Sequence, residues 1–381
     1  MIPKCSKREA ALIAVTATDN QEGTSFEMPF FCRKETEMEK KILVALSGGV
    51  DSSAAAALLL DGGHSVGGAV MRLCPGAGED PSADARAAAQ KLGIPFYLFD
   101  MREEFYKNVI FDFLKTYEEG KTPNPCIVCN KTMKFGVFID EAERLGYNKI
   151  ATGHYAKVKN DGGRYLLYTS DCAEKDQSYV LWSLSQRALS KLVLPLGNLS
   201  KEEAREAARA SGLENANKKE SQDICFVPDG DYAGFILRET GKTFESGAFT
   251  DEAGNILGTH KGIIHYTVGQ RRGLGLALPA PLYVKAKDVS NNRVILSPNE
   301  GLFSDSLTAD KVNWIAFDTL ERPVRLEAKI RYSAKKTACT VTPLGEDRIS
   351  VVFDEPQRAI SPGQSVVFYD KDLLCGGGII N

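Results

Sequence analysis

The sequence predicts an α/β fold in which a doubly wound parallel-sheet domain is followed by a small, mainly β linker domain and a C-terminal β-barrel. Between Lys41 and Tyr155, short β-rich runs alternate with helical runs, which is the pattern of parallel βαβ units. After Gly212 the helical periodicity fades, and β-branched residues occur between Gly, Pro and Asn turns. The change near Gly212 therefore separates two kinds of architecture.

Hydrophobic periodicity and helix-end signals place the elements of the first domain. Its strands are expected at residues 42–46, 65–73, 94–99 and 149–152. Its main helices are expected at residues 52–60, 82–92, 103–119 and 132–145. A β-hairpin turning at residues 161–163 follows, and then two helices at 176–189 and 200–212. The last helix opens on a capping box formed by Ser200 and Glu203.

The rest of the chain predicts short strands at residues 282–288, 293–296, 324–332, 336–343, 349–353 and 365–369. We therefore divide the chain into four parts. Residues 1–37 are expected to be a disordered extension and residues 38–213 the parallel-sheet domain. Residues 214–280 form the small central domain that carries Cys225, and residues 281–381 form the barrel.

Composition places the chain among ordinary globular proteins. Its 381 residues are 43% hydrophobic and 25% charged, which excludes the disordered and fibrous classes. Apolar runs are far shorter than the roughly 18 residues of a membrane-spanning helix, so no membrane partner is expected. The nine cysteines do not show the short, regular spacing of a disulfide framework in a secreted protein. They therefore favour a reducing compartment, the cytoplasm. With a net charge of −3, an RNA partner would need local basic patches.

A glycine-rich turn joins the first predicted strand to the alanine-rich helix behind it. The turn reads Ser47-Gly-Gly-Val-Asp-Ser52 and offers backbone N–H groups and a helix N-terminus to an anion. Gly48 and Gly49 permit close backbone approach, and Asp51 is suited to hold a magnesium ion or a water. The turn lacks the Lys of a Walker A loop, which disfavours kinase-like chemistry. The alternative is a glycine turn without a ligand.

This turn resembles the signature of the N-type ATP pyrophosphatases. The resemblance implies that ATP, with Mg²⁺, is split into AMP and pyrophosphate and that the adenylyl group passes to a carbonyl oxygen. It also implies that the nucleotide lies near the end of the second strand and near the Ala-Thr-Gly-His segment. The candidate ATP-binding residues are Ala45, Leu46, Ser47, Gly48, Gly49, Val50, Asp51, Ser52, Met71 and Gly153.

Three cysteines are the candidate catalytic residues. Cys126 and Cys129 stand at C-x-x-C spacing just before a predicted helix. Their helix N-terminal position and the neighbouring lysines, Lys131 and Lys134, predict lowered thiol pKa values. The third, Cys225, lies far along the chain, so only tertiary folding would bring it close.

Six motifs occur in the order found in the tRNA-specific 2-thiouridylase family, which the chain resembles from residue 40 to residue 380. They are the glycine turn, Thr-Pro-Asn-Pro-x-x-x-Cys-Asn-Lys, Ala-Thr-Gly-His-Tyr, Lys-Asp-Gln-Ser, Ser-Gln-Asp-Ile-Cys-Phe and His-Tyr-Thr-Val-Gly-Gln-Arg. The resemblance implies that ATP adenylates the C2 oxygen of the wobble uridine of a tRNA, and that a sulfur nucleophile then displaces AMP to give 2-thiouridine. In this scheme Cys129 matches the family nucleophile and Cys225 the persulfide-bearing cysteine.

The resemblance also implies the partners. These are tRNAs with anticodons of the Lys, Glu and Gln type, and a cysteine desulfurase or sulfur-relay protein as the sulfur donor. The rival function is a small-molecule adenylating ligase or amidotransferase of the same superfamily, which would not need Cys129 and Cys225. A non-enzymatic RNA-binding module is the third hypothesis.

One departure from the family pattern concerns Cys126, because many members carry Asp at this position. Three thiols, those of Cys126, Cys129 and Cys225, would suit a [4Fe–4S] cluster with one open iron. A zinc site and a redox-active C-x-x-C pair are further alternatives to the persulfide relay. The sequence leaves these alternatives open.

A set of tRNA contacts follows from the resemblance. Each residue also has an ordinary structural interpretation, such as helix capping by Asp176 or a buried position for His154. Arg271 stands in a glycine-rich segment with a second arginine, which suits phosphate contact. The candidate tRNA-binding residues are Asn124, Pro125, His154, Lys175, Asp176, Gln177, Arg271, Arg331, Tyr332 and Gln364.

Overall fold

A computed structural model describes residues 40–74, 82–213, 224–277, 280–345 and 347–381. The predicted extension at residues 1–37 lies outside the described residues. The strands are β1 (Lys41–Ala45), β2 (Ser65–Arg72), β3 (Phe96–Asp100), β4 (Lys149–Ala151), β5 (Ala156–Asp161), β6 (Arg164–Thr169), β7 (Leu192–Val193), β8 (Gly247–Thr250), β9 (Ile256–His260), β10 (Tyr283–Asp288), β11 (Arg293–Ser297), β12 (Phe303–Trp314), β13 (Val324–Lys329), β14 (Thr337–Pro343), β15 (Arg348–Arg358), β16 (Ser365–Asp370) and β17 (Leu373–Ile380).

The α-helices are α1 (Val50–Asp61), α2 (Ala83–Lys91), α3 (Arg102–Phe105), α4 (Phe111–Glu118), α5 (Pro125–Cys129), α6 (Phe138–Arg144), α7 (Gln186–Lys191), α8 (Lys201–Ala210) and α9 (Tyr232–Thr240). Two π-helical segments continue α3 and α5, at Tyr106–Ile110 and Asn130–Val137. Short 3₁₀ turns lie at Ala173–Lys175, Ser178–Leu181, Ile263–His265 and Asn299–Leu302. No helix in these described ranges is long and apolar enough to cross a membrane.

The first domain is built on a parallel sheet with strand order β3-β2-β1-β4-β7. Side chains of β1 alternate between two cores, as the pleat of a strand requires. Ile42 and Val44 pack with Ala56 of α1 on one face, while Leu43 packs with Phe113 of α4 on the other. Helices therefore cover both faces of the sheet, and the predicted doubly wound α/β fold is confirmed.

The second half of the chain is mainly β, as predicted. Strands β10, β11, β8 and β9 form a four-stranded sheet in that order. Strands β12, β15, β14, β13, β16 and β17 follow one another in a second sheet, and β17 pairs back onto β12. This pairing, which sets Ala309 against Ile380, closes a six-stranded barrel around buried residues such as Val341, Val351 and Phe368.

The predicted hairpin forms, but it belongs to the barrel sheet rather than to the parallel sheet. Strand β6 pairs with β17 through Tyr168 and Leu167, and β5 is the outer strand of the pair. The chain that leaves this hairpin therefore runs beside the barrel before it returns to the parallel sheet at β7. This path places the segment with Lys175 next to the barrel.

Strands β8, β9, β12 and β17 were not predicted, and two helical segments also differ from the sequence prediction. The helix expected at residues 176–189 is wrong, because the chain forms a 3₁₀ turn and the short α7 instead. Local hydrogen bonds explain why a continuous helix does not form. The Asp176 carboxylate accepts from the backbone N–H of Ser178 at 3.2 Å and from the hydroxyl of Ser178 at 2.9 Å. Helix α9 was not predicted because Gly234 and the aromatic and β-branched side chains around it lower the helix propensity of the segment. In the fold, burial of Phe235 and Ile236 stabilises the helix.

Candidate functional site

A cavity of about 600 Å³ lies where β1, β2 and β4 end, at the carboxyl edge of the parallel sheet. Open α/β sheets bind ligands at this edge. All predicted ATP-binding residues except Gly48 line the cavity. The lining residues are Ala45, Leu46, Ser47, Gly49, Val50, Asp51, Ser52, Val70, Met71, Leu73, Lys134, Thr152, Gly153, His154, Gln177, Lys201 and Cys225.

The glycine turn is shaped by its own serines. The Ser47 backbone N–H donates to Ser52 Oγ at 3.1 Å, and Ser52 Oγ donates to the Gly49 carbonyl, also at 3.1 Å. Gly48 adopts a φ of 73°, and a Cβ there would lie 2.6 Å from the Asp84 Cβ. The turn thus needs glycine at position 48 and leads directly into the N-terminus of α1, which favours an anion.

Asp51, in the first turn of α1, is held by two partners from distant parts of the chain. Lys201 Nζ donates to both carboxylate oxygens, at 2.7 and 2.8 Å, and the Tyr155 hydroxyl donates to Oδ1 at 2.8 Å. The Lys201 side chain is only 7% exposed. Both Asp51 oxygens accept from this ammonium group, so the cation that Asp51 holds in this arrangement is Lys201.

Lys201 was missed by sequence reasoning, although one signal was available. It is the first residue of α8, behind the Ser200 cap, whose hydroxyl accepts from the Glu203 N–H at 3.2 Å. A cation at a helix N-terminus opposes the helix dipole and is unfavourable unless something compensates it. The compensation is the Asp51 carboxylate, and the result is an ion pair at the cavity wall.

Gly153 lets the loop after β4 pack against the start of α1. A Cβ at this position would lie 2.7 Å from the Asp51 carbonyl carbon and 2.8 Å from the Ser52 nitrogen. In the next residue, His154, Nδ1 lies 2.8 Å from Thr152 Oγ1. Burial and, after it, the charge of Lys134 hold the pKa of His154 well below its ordinary value, so the imidazole is neutral at pH 7.

The fold brings the three predicted catalytic cysteines into one neighbourhood. Cys126 is the second residue of α5 and is exposed, and Cys129 ends that helix and is buried. Cys225 is exposed and lines the cavity. The charge of Cys225 acts on both other thiols, which places all three within electrostatic reach. Every cysteine in the described ranges is a free thiol.

The prediction of lowered pKa values for Cys126 and Cys129 was wrong. Desolvation by the surrounding protein raises the pKa of the Cys126 thiol, although the residue is partly exposed, and it raises the pKa of Cys129 to about 11. The charge of Lys134 lowers both values, but its effect is smaller than that of burial. A sequence shows which charges lie near a thiol, but it does not show how much water folding removes from that thiol. Here the loss of water has the larger effect on the pKa.

The pKa of Cys225 is lowered rather than raised, and its neighbour Cys74 was missed by sequence reasoning. The pKa of Cys225 is lowered to about 7, first by a side-chain hydrogen bond with Cys74 and, against burial, also by Lys134 and two backbone N–H groups. Cys74 lies two residues beyond β2, at the same edge of the sheet. Cys225 is therefore the thiol of this group that is ionised near neutral pH.

The described thiols and carboxylates do not form a metal centre. In the ranges that the structure describes, no group of three or more His, Cys, Asp and Glu side chains is arranged to hold a metal ion. The alternative in which Cys126, Cys129 and Cys225 share a metal cluster is therefore not supported by this arrangement of the described side chains.

The predicted tRNA-binding residues fall into two groups. Several have structural bonds: Gln364 Nε2 donates to the Thr122 carbonyl at 2.9 Å, and the Gln177 side chain accepts from the Tyr155 N–H at 3.0 Å. Gln364 thereby ties the barrel to the loop that leads through Asn124 into α5, whose first residue is the buried Pro125. The cysteine helix is thus positioned by a barrel residue.

In the second group, Tyr332 and Asp176 form a contact between the barrel and the segment before Ser178. The Tyr332 hydroxyl donates to the Asp176 carbonyl at 3.1 Å, and the Lys329 ammonium lies 5.6 Å from the Tyr332 ring centroid. Arg331 donates to the Arg358 carbonyl at 3.0 Å. Lys175 is half-buried and Arg271 is exposed. Tyr332, which is 45% exposed, offers a stacking face at this surface.

Three family models match the chain in sequence. They are a tRNA methyl transferase HUP domain at residues 40–229, a tRNA methyl transferase PRC-barrel domain at 234–298 and an aminomethyltransferase β-barrel domain at 304–380.

Curated relatives match the chain over most of its length. The tRNA-specific 2-thiouridylase MnmA of Acetivibrio thermocellus is 48% identical over 356 residues, which covers 90% of this chain and 99% of the relative. The protein of the same name from Clostridioides difficile is 49% identical over 355 residues, covering 90% and 98%. The solved structure of a 4-thiouridine synthetase–RNA complex with bound ATP has a TM-score of 0.33 and 18% identity, over 49% of this chain and 44% of that one. A likeness this weak supports no functional conclusion.

Proposed function

Because this chain belongs to the tRNA-specific 2-thiouridylase family, we propose that it is a tRNA uridine 2-sulfurtransferase that adenylates the C2 oxygen of the wobble uridine with ATP and then replaces that oxygen with sulfur. One observation carries the proposal. The glycine turn that suits ATP phosphates and the thiol of Cys225 line the same cavity. An adenylated carbonyl oxygen would therefore form beside the nucleophile that displaces it.

The ATP half of the reaction is assigned to the turn and to Lys201. The turn presents backbone N–H groups and the N-terminus of α1 to the phosphates. Lys201 keeps the Asp51 carboxylate in place and offsets its negative charge at the cavity wall. Charge that develops on the departing pyrophosphate would be stabilised by these groups. When Mg²⁺ is bound with ATP, it would neutralise part of the phosphate charge, while the turn and α1 orient the phosphates.

The sulfur half begins at Cys225, which is a thiolate in part of the molecules at pH 7. The thiolate attacks the outer sulfur of a persulfide on the donor protein; the donor leaves as a thiolate and Cys225 becomes a persulfide. The outer sulfur of this persulfide, as its anion, attacks C2 of the adenylated uridine and expels AMP. A disulfide now joins C2 to Cys225.

Cys129 completes the transfer. Its sulfur attacks Cys225 Sγ, which forms a Cys129–Cys225 disulfide and releases 2-thiouridine, while the Cys129 proton passes to N3 of the product. A raised pKa keeps Cys129 protonated until this step. An external dithiol must then reduce the disulfide before the next turnover.

Cys126 has no step in this relay. The alternative in which it joins Cys129 and Cys225 around a [4Fe–4S] cluster or a zinc ion requires three thiols that share a metal, and the described side chains do not provide that arrangement. The relay needs only Cys129 and Cys225. We therefore propose the relay.

The partners follow from the reaction. We propose that tRNAs with anticodons of the Lys, Glu and Gln type bind over the surface near Tyr332 and Lys175, with Arg271 on a backbone phosphate. A splayed-out wobble base would enter the cavity beside His154. The sulfur donor is a cysteine desulfurase or a sulfur-relay protein, and the activity belongs in the cytoplasm, where tRNA is available.

Pyrophosphate release distinguishes this function from a small-molecule adenylating ligase. We expect ATP to be split to AMP and pyrophosphate only when a tRNA with a wobble uridine is present, because the acceptor oxygen belongs to that base. A tRNA with cytidine at the wobble position is the matched control and should give only background release. Rapid pyrophosphate formation with an amino acid or ammonia in the absence of tRNA would support the ligase instead.

A further inference from the structure

The glycine-rich loop that carries Arg271 is held in one conformation by the residues on each side of that arginine. The Gly269 backbone N–H donates to the Val284 carbonyl at 2.8 Å, and the Val284 N–H donates to the Gln270 carbonyl at 2.9 Å. The Gln270 side chain then donates to the Arg272 carbonyl at 2.9 Å. The backbone of Arg271 therefore lies between two anchored residues, and its exposed side chain starts from a fixed point.

Arg358, the last residue of β15, lies between this loop, the four-stranded sheet and the barrel. Its Nε donates to Asn299 Oδ1 at 2.9 Å, and its guanidinium carbon lies 5.1 Å from the centroid of the Tyr283 ring in β10. Its carbonyl accepts from Arg331 Nη1 at 3.0 Å. A Cβ built at Gly269 would lie 3.8 Å from Arg358 Nη1, which is van der Waals distance. The backbone of Arg358 thus holds Arg331, while its side chain lies beside the glycine loop.

Ala359 packs against the same loop and leaves no room for a side chain at position 269. A Cβ built at Gly269 would lie 2.9 Å from Ala359 Cβ, which is closer than Cβ contacts in real proteins. Ala359 is buried and adopts a φ of 57°, and its backbone N–H donates to the Leu302 carbonyl at 2.9 Å. A residue other than glycine keeps a left-handed conformation only when its surroundings fix it. Direct contact therefore sets the distance between the loop and the barrel.

The two sides of this contact carry arginines that suit an external anion. Arg271 and Arg272 are exposed on the loop, and Arg331 is half-buried on the barrel. Within the part of the chain that the structure describes, none of these three guanidinium groups forms an ion pair with a carboxylate. A planar guanidinium group matches the geometry of a phosphate, and such contacts fix the position of a nucleic acid backbone.

We infer that Arg358 and Ala359 are positioning residues for tRNA binding, which hold the glycine loop at a fixed distance from the barrel so that Arg271 and Arg331 contact phosphates of one bound tRNA. This inference rests on the proposed function, because it assumes that tRNA lies across both segments. Neither positioning residue has to contact the tRNA itself. A preformed spacing reduces the cost of ordering on binding, so a displaced loop should weaken affinity even when no charge is lost.

Equilibrium binding of a fluorescently labelled wobble-uridine tRNA tests the inference without ATP, over a salt range of about 50 to 200 mM KCl. Arg271→Ala should weaken binding about tenfold and reduce the slope of log affinity against log salt by about one. Gly269→Ala keeps every charge, yet it should weaken binding about fivefold and reduce the salt slope by about one as well. The reason is that the new methyl group meets Ala359 and moves Arg271 away from its phosphate.

Two controls separate the position of the loop from strain in its backbone. Gly275→Ala places a side chain at a similar φ of 71° in the same segment, but its Cβ would meet no atom within 4 Å. This variant should bind tRNA within about twofold of the unmodified protein. Gly269→Ala combined with Ala359→Gly removes the opposing methyl group, so affinity and salt slope should both return to within about twofold of the unmodified values.

Arg358→Leu displaces the loop by a second route that puts no strain into its glycines. Because Arg271 is already out of place in the Gly269→Ala and Arg358→Leu backgrounds, adding Arg271→Ala there should cost less than about threefold in affinity. A cost of about tenfold in every background, or a Gly269→Ala defect that Ala359→Gly does not correct, would overturn the inference. A failure of the proposed function would instead appear as absence of 2-thiouridine from the unmodified protein, with these changes in tRNA binding intact.

Discussion

Cys225→Ser is expected to lower 2-thiouridine formation by about a thousandfold or more, because a serine hydroxyl cannot carry a persulfide. The first release of pyrophosphate should stay within about twofold of the unmodified protein, since the ATP half of the reaction uses the glycine turn and Lys201 rather than a thiol. Single-turnover assays that follow both products separate the two halves. Loss of sulfur transfer with retained adenylation is the expected pattern.

Cys126→Ser is the matched control for that experiment. Cys126 is an exposed thiol on the helix that also carries Cys129, and the relay gives it no bond to make. Activity should therefore stay within about threefold of the unmodified protein, because no bond to the Cys126 sulfur forms or breaks in the relay. Equal loss in Cys126→Ser and Cys225→Ser would contradict the two-cysteine relay and favour a shared ligand role.

The pH dependence of sulfur loading follows from the Cys225 pKa of about 7. The thiolate is the reactive form, so loading from a persulfide donor should rise through pH 7 and level off above it. A cysteine with an ordinary pKa would continue to gain reactivity well above pH 8. The same profile in the presence and absence of ATP would assign the titration to the thiol.

Lys201→Met is expected to reduce tRNA-dependent pyrophosphate release by about a hundredfold, because it removes the positive charge at the cavity wall and leaves Asp51 without its ammonium partner. Stability should also fall. Removing one partner of a buried ion pair costs roughly 3–5 kcal/mol, and since 27% of the Asp51 side chain is exposed we expect about 2 kcal/mol in urea unfolding.

The double variant Asp51→Asn with Lys201→Met separates the two effects. Neither charge is then left unpaired, so most of the stability should return, while pyrophosphate release should stay low. A Lys201→Met protein with full activity would show that the ammonium group has no part in the reaction. Recovery of both activity and stability in the double variant would show that Lys201 acts only as a structural partner of Asp51.

The sequence predicted those parts of the site that are continuous in the chain. The glycine turn, the strand before it and the helix after it form a local unit whose geometry is set by neighbours a few residues apart. Ser47 and Ser52 bond within the turn, and Gly153 packs directly on its first helical residues. Their placement at the cavity agrees with the expectation from the motif.

Contacts between distant segments were not predictable from the sequence. Lys201 reaches Asp51 only because α8 packs beside α1, and Cys74 reaches Cys225 only through the folded core. Neither residue stands in a motif. The pKa error at Cys129 has the same origin, since burial depends on which elements cover the thiol.

The barrel shows how tertiary structure overrides propensity. Strand β17 contains three consecutive glycines, and glycine is poor in strands, so no strand was predicted there. In the fold this strand is paired on both sides, with β12 and β16, and its pairing with β12 closes the barrel. Hydrogen bonds to both neighbours offset the weak local preference.

The most direct test of the account is a single turnover with Cys225 loaded in advance with a heavy sulfur isotope as its persulfide. The protein is mixed with a wobble-uridine tRNA, with or without ATP, and the tRNA nucleosides are separated by mass. We predict 2-thiouridine that carries the heavy isotope, formed only with ATP. Absence of 2-thiouridine, or formation of the labelled nucleoside without ATP, would contradict the claim that one cavity joins ATP activation to sulfur transfer.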